Sequence, residues 1–125
     1  MPTGLPTLRA ALLAVIALGT LASVGCAKWE NKMDAGRKEL LAAATPCPAP
    51  ATCTAKVTVA GSDVSTCSAP PAGGKYAVGD VVAIHELGVH SLARVKSLEG
   101  SEYNVTFAEG VTNKRSGATF IQVCK

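Results

Sequence analysis

The residues best equipped for chemistry sit in one short run, His85-Glu86-Leu87-Gly88-Val89-His90. Two histidines flanking a glutamate are the materials of a zinc hydrolase site. The imidazoles hold the ion and the carboxylate moves the proton. That chemistry needs histidines four residues apart on a helix, because four steps of about 100° return to nearly the same side. Here Val89 lengthens the spacing to five, and five steps leave the side chains about 140° apart. Gly88 and the β-prone run Val81-Val82-Ala83-Ile84 also speak against a helix. Too little chain follows His90 for a peptidase fold and a third ligand. No serine or threonine sits in a nucleophile elbow, and no glycine-rich phosphate loop is present. The expectation is a protein that is not an enzyme and has no cofactor.

Read as strands, the same region is coherent. Asp80 to Glu86 makes one strand and Val89 to Leu98 the next, with a tight turn at Leu87-Gly88. Glu99 to Ser101 turns again. Glu102 to Ala108 follows, placing Tyr103, Val105 and Phe107 on one face with a period of two. Residues 109–117 read as loop and Ala118 to Cys124 as the last strand. Short antiparallel strands at this spacing predict a small barrel. A two-residue turn also sets His85 opposite His90, with Cβ atoms about 5 Å apart. The pair then has three readings. It holds a metal ion, with Glu86 or Glu102 as a further ligand. It forms a pH-sensitive patch, since protonating both rings puts like charges together. Or it makes ordinary polar contacts on an exposed hairpin, the reading favoured because two ligands without a third rarely hold a metal. Lys114-Arg115 reads as solvated surface.

The run from Tyr76 to Gly110, YAVGDVVAIHELGVHSLARVKSLEGSEYNVTFAEG, resembles a Tudor or Tudor-like domain of the SH3-like barrel class. The likeness covers residues 75–125. It lies in the order of the pieces: Tyr76-x-Val78-Gly79-Asp80, a glycine turn at Gly88, Ala93-x-Val95, then Tyr103-x-Val105-x-Phe107 closing on Glu109-Gly110. The resemblance implies a mainly β fold, a small antiparallel SH3-like barrel. In eukaryotic members of that class, aromatic side chains cage a methylated ammonium by cation–π attraction. The matching positions here are His85 and His90, with Tyr103 and Phe107 as further candidates for ligand binding. Histidines in place of tryptophan or tyrosine argue against a methyl-lysine reader. Alternation on their strand places Tyr103 and Phe107 in the barrel core.

The N-terminal part predicts where the protein works. Arg9 is the only charged side chain before Lys28, and an apolar run separates them. Gly19, Thr20, Ser23 and Gly25 close that run, which reads as a signal peptide over residues 1–25. Ala22-Ser23-Val24-Gly25-Cys26 resembles a bacterial lipobox, which implies diacylglycerol on Cys26. Acyl chains there would hold the protein on a membrane surface of the bacterial cell envelope, facing the periplasm or the exterior. Of five cysteines, four then remain: Cys47, Cys53, Cys67 and Cys124. In an oxidising compartment they predict two disulfides in one of three connectivities. Cys124 is expected to bond back to Cys47, Cys53 or Cys67 and so tie down the last strand. Residues 26–45 read as a lipid-anchored amphipathic helix or tether, and 46–74 as a Cys/Pro-rich segment and linker with a small hairpin near Lys56 to Asp63. Eleven basic residues remain after Arg9 is removed, against nine acidic, too mild an excess for nucleic-acid binding. The function expected is a non-catalytic lipoprotein that binds a peptide, a cell-wall component or an envelope protein. The alternative is a periplasmic metal-binding protein using His85 and His90.

Overall fold

A computed structural model describes residues 28–125. It opens on a helix, α1, over residues 28–42. The Ala-, Leu-, Lys- and Glu-rich composition favours it, and Pro46 and Pro48 prevent its continuation. Lys125 Nζ donates to the Ala42 carbonyl at 2.8 Å, a cation placed at the negative end of the helix. Seven strands follow: β1 Ala55–Val59, β2 Ser62–Thr66, β3 Val81–Glu86, β4 Val89–Glu99, β5 Glu102–Phe107, β6 Thr112–Ser116 and β7 Phe120–Gln122. β1 and β2 form an antiparallel hairpin, and the other five make one antiparallel sheet in the order β6-β5-β4-β3-β7. The protein is therefore mainly β, with one helix among the described residues.

Two elements differ from the sequence expectation: β7 is shorter than the strand expected over Ala118 to Cys124, because Gly117–Thr119 form a 3-10 turn, and the loop before it holds a strand. β6 lies inside residues 109–117, which read as loop. Thr-Asn-Lys-Arg-Ser has no apolar side chain, so no alternation marks it. The strand is fixed instead by pairing with β5, Tyr103 opposite Arg115 and Asn104 opposite Lys114.

The five-stranded sheet is strongly coiled. β5 and β7 are three strand spacings apart along the ladder, about 14 Å if the sheet were flat. Yet the rings of Tyr103 on β5 and Phe120 on β7 have centroids only 5.4 Å apart. The register of β4 with β5 shifts between Val95 and Ser97, a bulge that bends the long strand. The edges β6 and β7 are not hydrogen-bonded to each other, so the ladder itself stays open.

Coiling gives the sheet an inner and an outer face. Val82, Ile84, Ala93, Val95, Tyr103, Val105, Phe107 and Phe120 fill the inner one, with Tyr76 beside them. Val81, Ala83, Leu92 and Val123 point outward but are covered by Leu40 of α1, by Ala44 just after it, and by Val59 and Val64 of the hairpin. Both faces of β3 are thus buried, which is why Val81 to Ile84 is an unbroken apolar run rather than an alternating one. The helix residues from Met33 onward, the Pro-rich segment and the sheet form one compact unit, Met33–Lys125.

Two disulfides secure it, Cys47–Cys67 and Cys53–Cys124. The second ties the C-terminus back to the segment before β1. The sequence separations are 20 and 71 residues, which on chain-entropy grounds stabilise by about 3 and about 4 kcal/mol when each is taken alone.

Candidate functional site

The β3–β4 hairpin brings the two histidines together by the strand route. The turn is Leu87-Gly88, both with positive φ, 50° and 79°, the pattern of a type I′ turn. It sets His85 directly opposite His90, and the ring centroids are 4.8 Å apart with planes tilted by 37°. The pair projects from the same face as Ala83 and Leu92, beyond the covered core, and borders a shallow depression of about 340 Å³ beside Ala118 to Ile121. Neither proposed carboxylate joins them. Glu86 alternates to the other face and pairs with the Arg115 guanidinium. Glu102 lies opposite Glu99 at the far end of β5. Among the described residues, the grouping of three possible metal-ligand side chains is Cys47, Cys53 and Cys124, all of them in disulfides.

Tyr103 lies in the core. Its Oη accepts the Tyr76 backbone N–H at 3.0 Å, and Tyr76 Oη donates to the Phe120 carbonyl at 3.2 Å. The three rings meet edge-on or tilted at 5.3–5.9 Å, favourable aromatic geometry. Burial holds the Tyr76 hydroxyl above its ordinary pKa, with Tyr103 and Asp80 adding to the effect.

Phe107 sits at the other end of the same core. The Arg115 guanidinium lies 5.4 Å from its ring centroid, within cation–π range. The chain's own cation therefore covers the aromatic face that an ammonium ligand would use. Arg115 reaches across from β6 to Glu86 on β3, although β5 and β4 separate those strands in the ladder. Phe107, Glu86, Arg115, His90 and Val89 line a depression of about 450 Å³ that extends to Arg37 of α1. Val89 in its lining is 60% exposed, and Leu87, in the hairpin turn between Glu86 and Val89, is fully exposed.

This cluster was not visible in the sequence. Glu86 and Arg115 are 29 residues apart, and only the register of β6 points Arg115 inward. A second feature was equally hidden. Thr66 and Gln122 are buried, their Oγ1 and Oε1 make no hydrogen bond, and both border a depression of about 320 Å³ along β7. Opposite in character is the surface trio of exposed Glu99, half-buried Asn104 and exposed Lys114. Hydrogen bonds from Asn104 and Lys114 hold the Glu99 carboxyl below its usual range. Cys26 and the rest of the candidate signal peptide lie outside the described residues.

Comparison with family models, with curated proteins and with solved structures finds no match for this chain.

Proposed function

We propose that the chain is a bacterial envelope lipoprotein and that its coiled sheet is an SH3-like, Tudor-like barrel serving as a non-catalytic binding module. The partner would be a peptide, a cell-wall component or another envelope protein. The lipid anchor on Cys26 is argued from the sequence of residues 1–27. No helix of the described residues is long and apolar enough to cross a membrane. Support for the barrel comes from the coiling, which carries one continuous core from β7 round to β5.

One observation carries the binding proposal: the exposed apolar hairpin tip of Leu87 and Val89, of which Val89 lines the depression with Phe107, Arg115 and Glu86. Leu87 adopts a left-handed backbone conformation at φ 50° while its side chain is fully exposed. A leucine there costs about 1–2 kcal/mol, and asparagine would suit the turn better. An apolar side chain held at such a cost, next to a concave mixed-polarity surface, is what a contact residue for a partner looks like. The test is a photo-crosslinking amino acid at Val89 in cells expressing the full chain, with the same group at exposed Lys56 as the control. Discrete adducts specific to position 89 are expected. No adducts at 89, or the same adducts at both sites, would sink the proposal.

The proximity of His85 and His90 supports a second reading, metal binding with water or a partner completing the coordination. Near-stoichiometric zinc or copper in protein purified from cells, lost on His90→Ala, would favour it over the first.

A further inference from the structure

The two disulfides are packed against each other. The sulfurs of Cys47, Cys53 and Cys124 all lie within 4.8 Å of one another, although Cys47 is bonded to Cys67 and the other two to each other. The fold enforces this crowding around the C-terminal strand. Thr45 forms a parallel bridge with Cys124, which carries Cys47 alongside it. On the other side Thr66 bridges Val123, and the Cys124 N–H donates to the Ser65 carbonyl at 3.1 Å. Cys67 belongs to this second edge and falls outside the three-sulfur group. Cys47 and Cys53 are half-buried, whereas Cys67 and Cys124 are only 6% and 4% exposed.

We infer that Cys47, Cys53 and Cys124 form a disulfide-exchange centre whose substrate is a thiol. Exchange proceeds by thiolate attack on a disulfide sulfur, so it needs an accessible first sulfur and a second bridge within reach of the thiolate released. Both conditions are met here. An incoming thiolate attacks Cys53 Sγ. A mixed disulfide forms on Cys53, the Cys53–Cys124 bond breaks, and the electron pair leaves on Cys124. The Cys124 thiolate then attacks Cys47 Sγ. A Cys47–Cys124 bond forms, the Cys47–Cys67 bond breaks, and the Cys67 thiolate takes a proton from water. Two disulfides are present before and after, so no separate oxidant or reductant is consumed. The C-terminal segment passes from Cys53 to Cys47 through a transient Cys124 thiolate, while the end of the β1–β2 hairpin is released at Cys67. The geometry therefore provides for rewiring the protein with the C-terminal tether re-formed at Cys47 by the second step.

The asymmetry between Cys47 and Cys67 makes this testable by peptide mapping of the full chain under non-reducing conditions, where the masses also distinguish any linkage to Cys26. Cys67→Ser leaves Cys47 as a thiol inside the three-sulfur group. That variant is expected to carry Cys47–Cys124 or Cys47–Cys53 alongside Cys53–Cys124. Cys47→Ser leaves Cys67 outside the group and is expected to keep Cys53–Cys124, with rearranged linkages several-fold rarer. A second arm uses the unaltered protein with reduced glutathione, acid quench and alkylation. Glutathione on Cys53, a Cys47–Cys124 peptide and an alkylated Cys67 are expected. The inference is overturned if Cys67→Ser holds only Cys53–Cys124, or if both variants rearrange equally. Should Cys67→Ser fail to fold by circular dichroism, the glutathione arm decides. Absence of the Cys47–Cys124 peptide there overturns it.

Discussion

Gly36 gives the most demanding test of how α1 packs. Glycine inside a helix costs about 1 kcal/mol relative to alanine, so propensity alone says that Gly36→Ala stabilises. The structure says the opposite. A Cβ built on Gly36 falls 2.0 Å from the Ala108 carbonyl oxygen and 2.8 Å from its carbon, both backbone atoms. An ordinary contact starts near 3.4 Å, so helix and turn must separate by about 1.4 Å. Gly36 and Leu40 are four residues apart and share one side of the helix, and Ala44 follows just beyond its end. Moving that side outward loosens Leu40 and Ala44 in the outer core. Full burial of a leucine is worth about 1.5–3 kcal/mol, and overpacking typically costs about 1–3 kcal/mol. Against the gain in propensity, the net expectation is a loss of about 1–3 kcal/mol, or about 4–8 °C in Tm per kcal/mol for a domain of this size. Urea unfolding of the oxidised protein, followed by circular dichroism, reads it directly. Ala35→Gly, on the exposed side, is the control and should cost only about 1 kcal/mol. Leu40→Ala should cost less in the Gly36→Ala background than alone, because the two changes act on one contact. A raised urea midpoint for Gly36→Ala would refute the close approach and with it this packing of the helix.

Four further outcomes follow from the same contacts. Tyr103→Phe strips the acceptor from the buried Tyr76 N–H and should cost about 1–3 kcal/mol in urea unfolding. Tyr76 has a folded pKa raised above its unfolded value, so the stability it contributes is complete below about pH 10 and is lost as pH rises through the folded value. Phenolate absorbance from Tyr76 should accordingly appear with alkaline unfolding, and Tyr76→Phe should remove that component of the pH dependence. Leu87→Asn should raise stability by roughly 1 kcal/mol through better turn chemistry while weakening crosslinking at position 89. Replacing both Cys53 and Cys124 by serine should lower stability by about 4 kcal/mol, measured against the oxidised parent at matched pH.

What could be read from the sequence was whatever leaves a local pattern. The alternation of Tyr103, Val105 and Phe107 marked β5, and the glycine turn at Leu87-Gly88 set the register that opposes His85 and His90. β6 left no such trace, because an edge strand of polar residues is held by its neighbour rather than by its own burial. The single glycine in an otherwise helix-favouring stretch gave no hint of its purpose, since Ala108 is far away in sequence. Arg115 read as surface because its partners, Glu86 and Phe107, meet it only once the sheet coils. The proline-rich segment looked like a separate piece. Its hairpin instead supplies Val59 and Val64 to the outer core, a contact that no local periodicity encodes.

The proposed function requires an exported, lipid-anchored chain, and two disulfides close the fold. The measurement that tests this most directly is the intact mass of the protein from the membrane fraction, before and after thiol reduction. The prediction is the mass of residues 26–125 plus acyl-glyceryl lipid, gaining four hydrogens on reduction as Cys47–Cys67 and Cys53–Cys124 open. An unlipidated mass, or one unchanged by reduction, would contradict it.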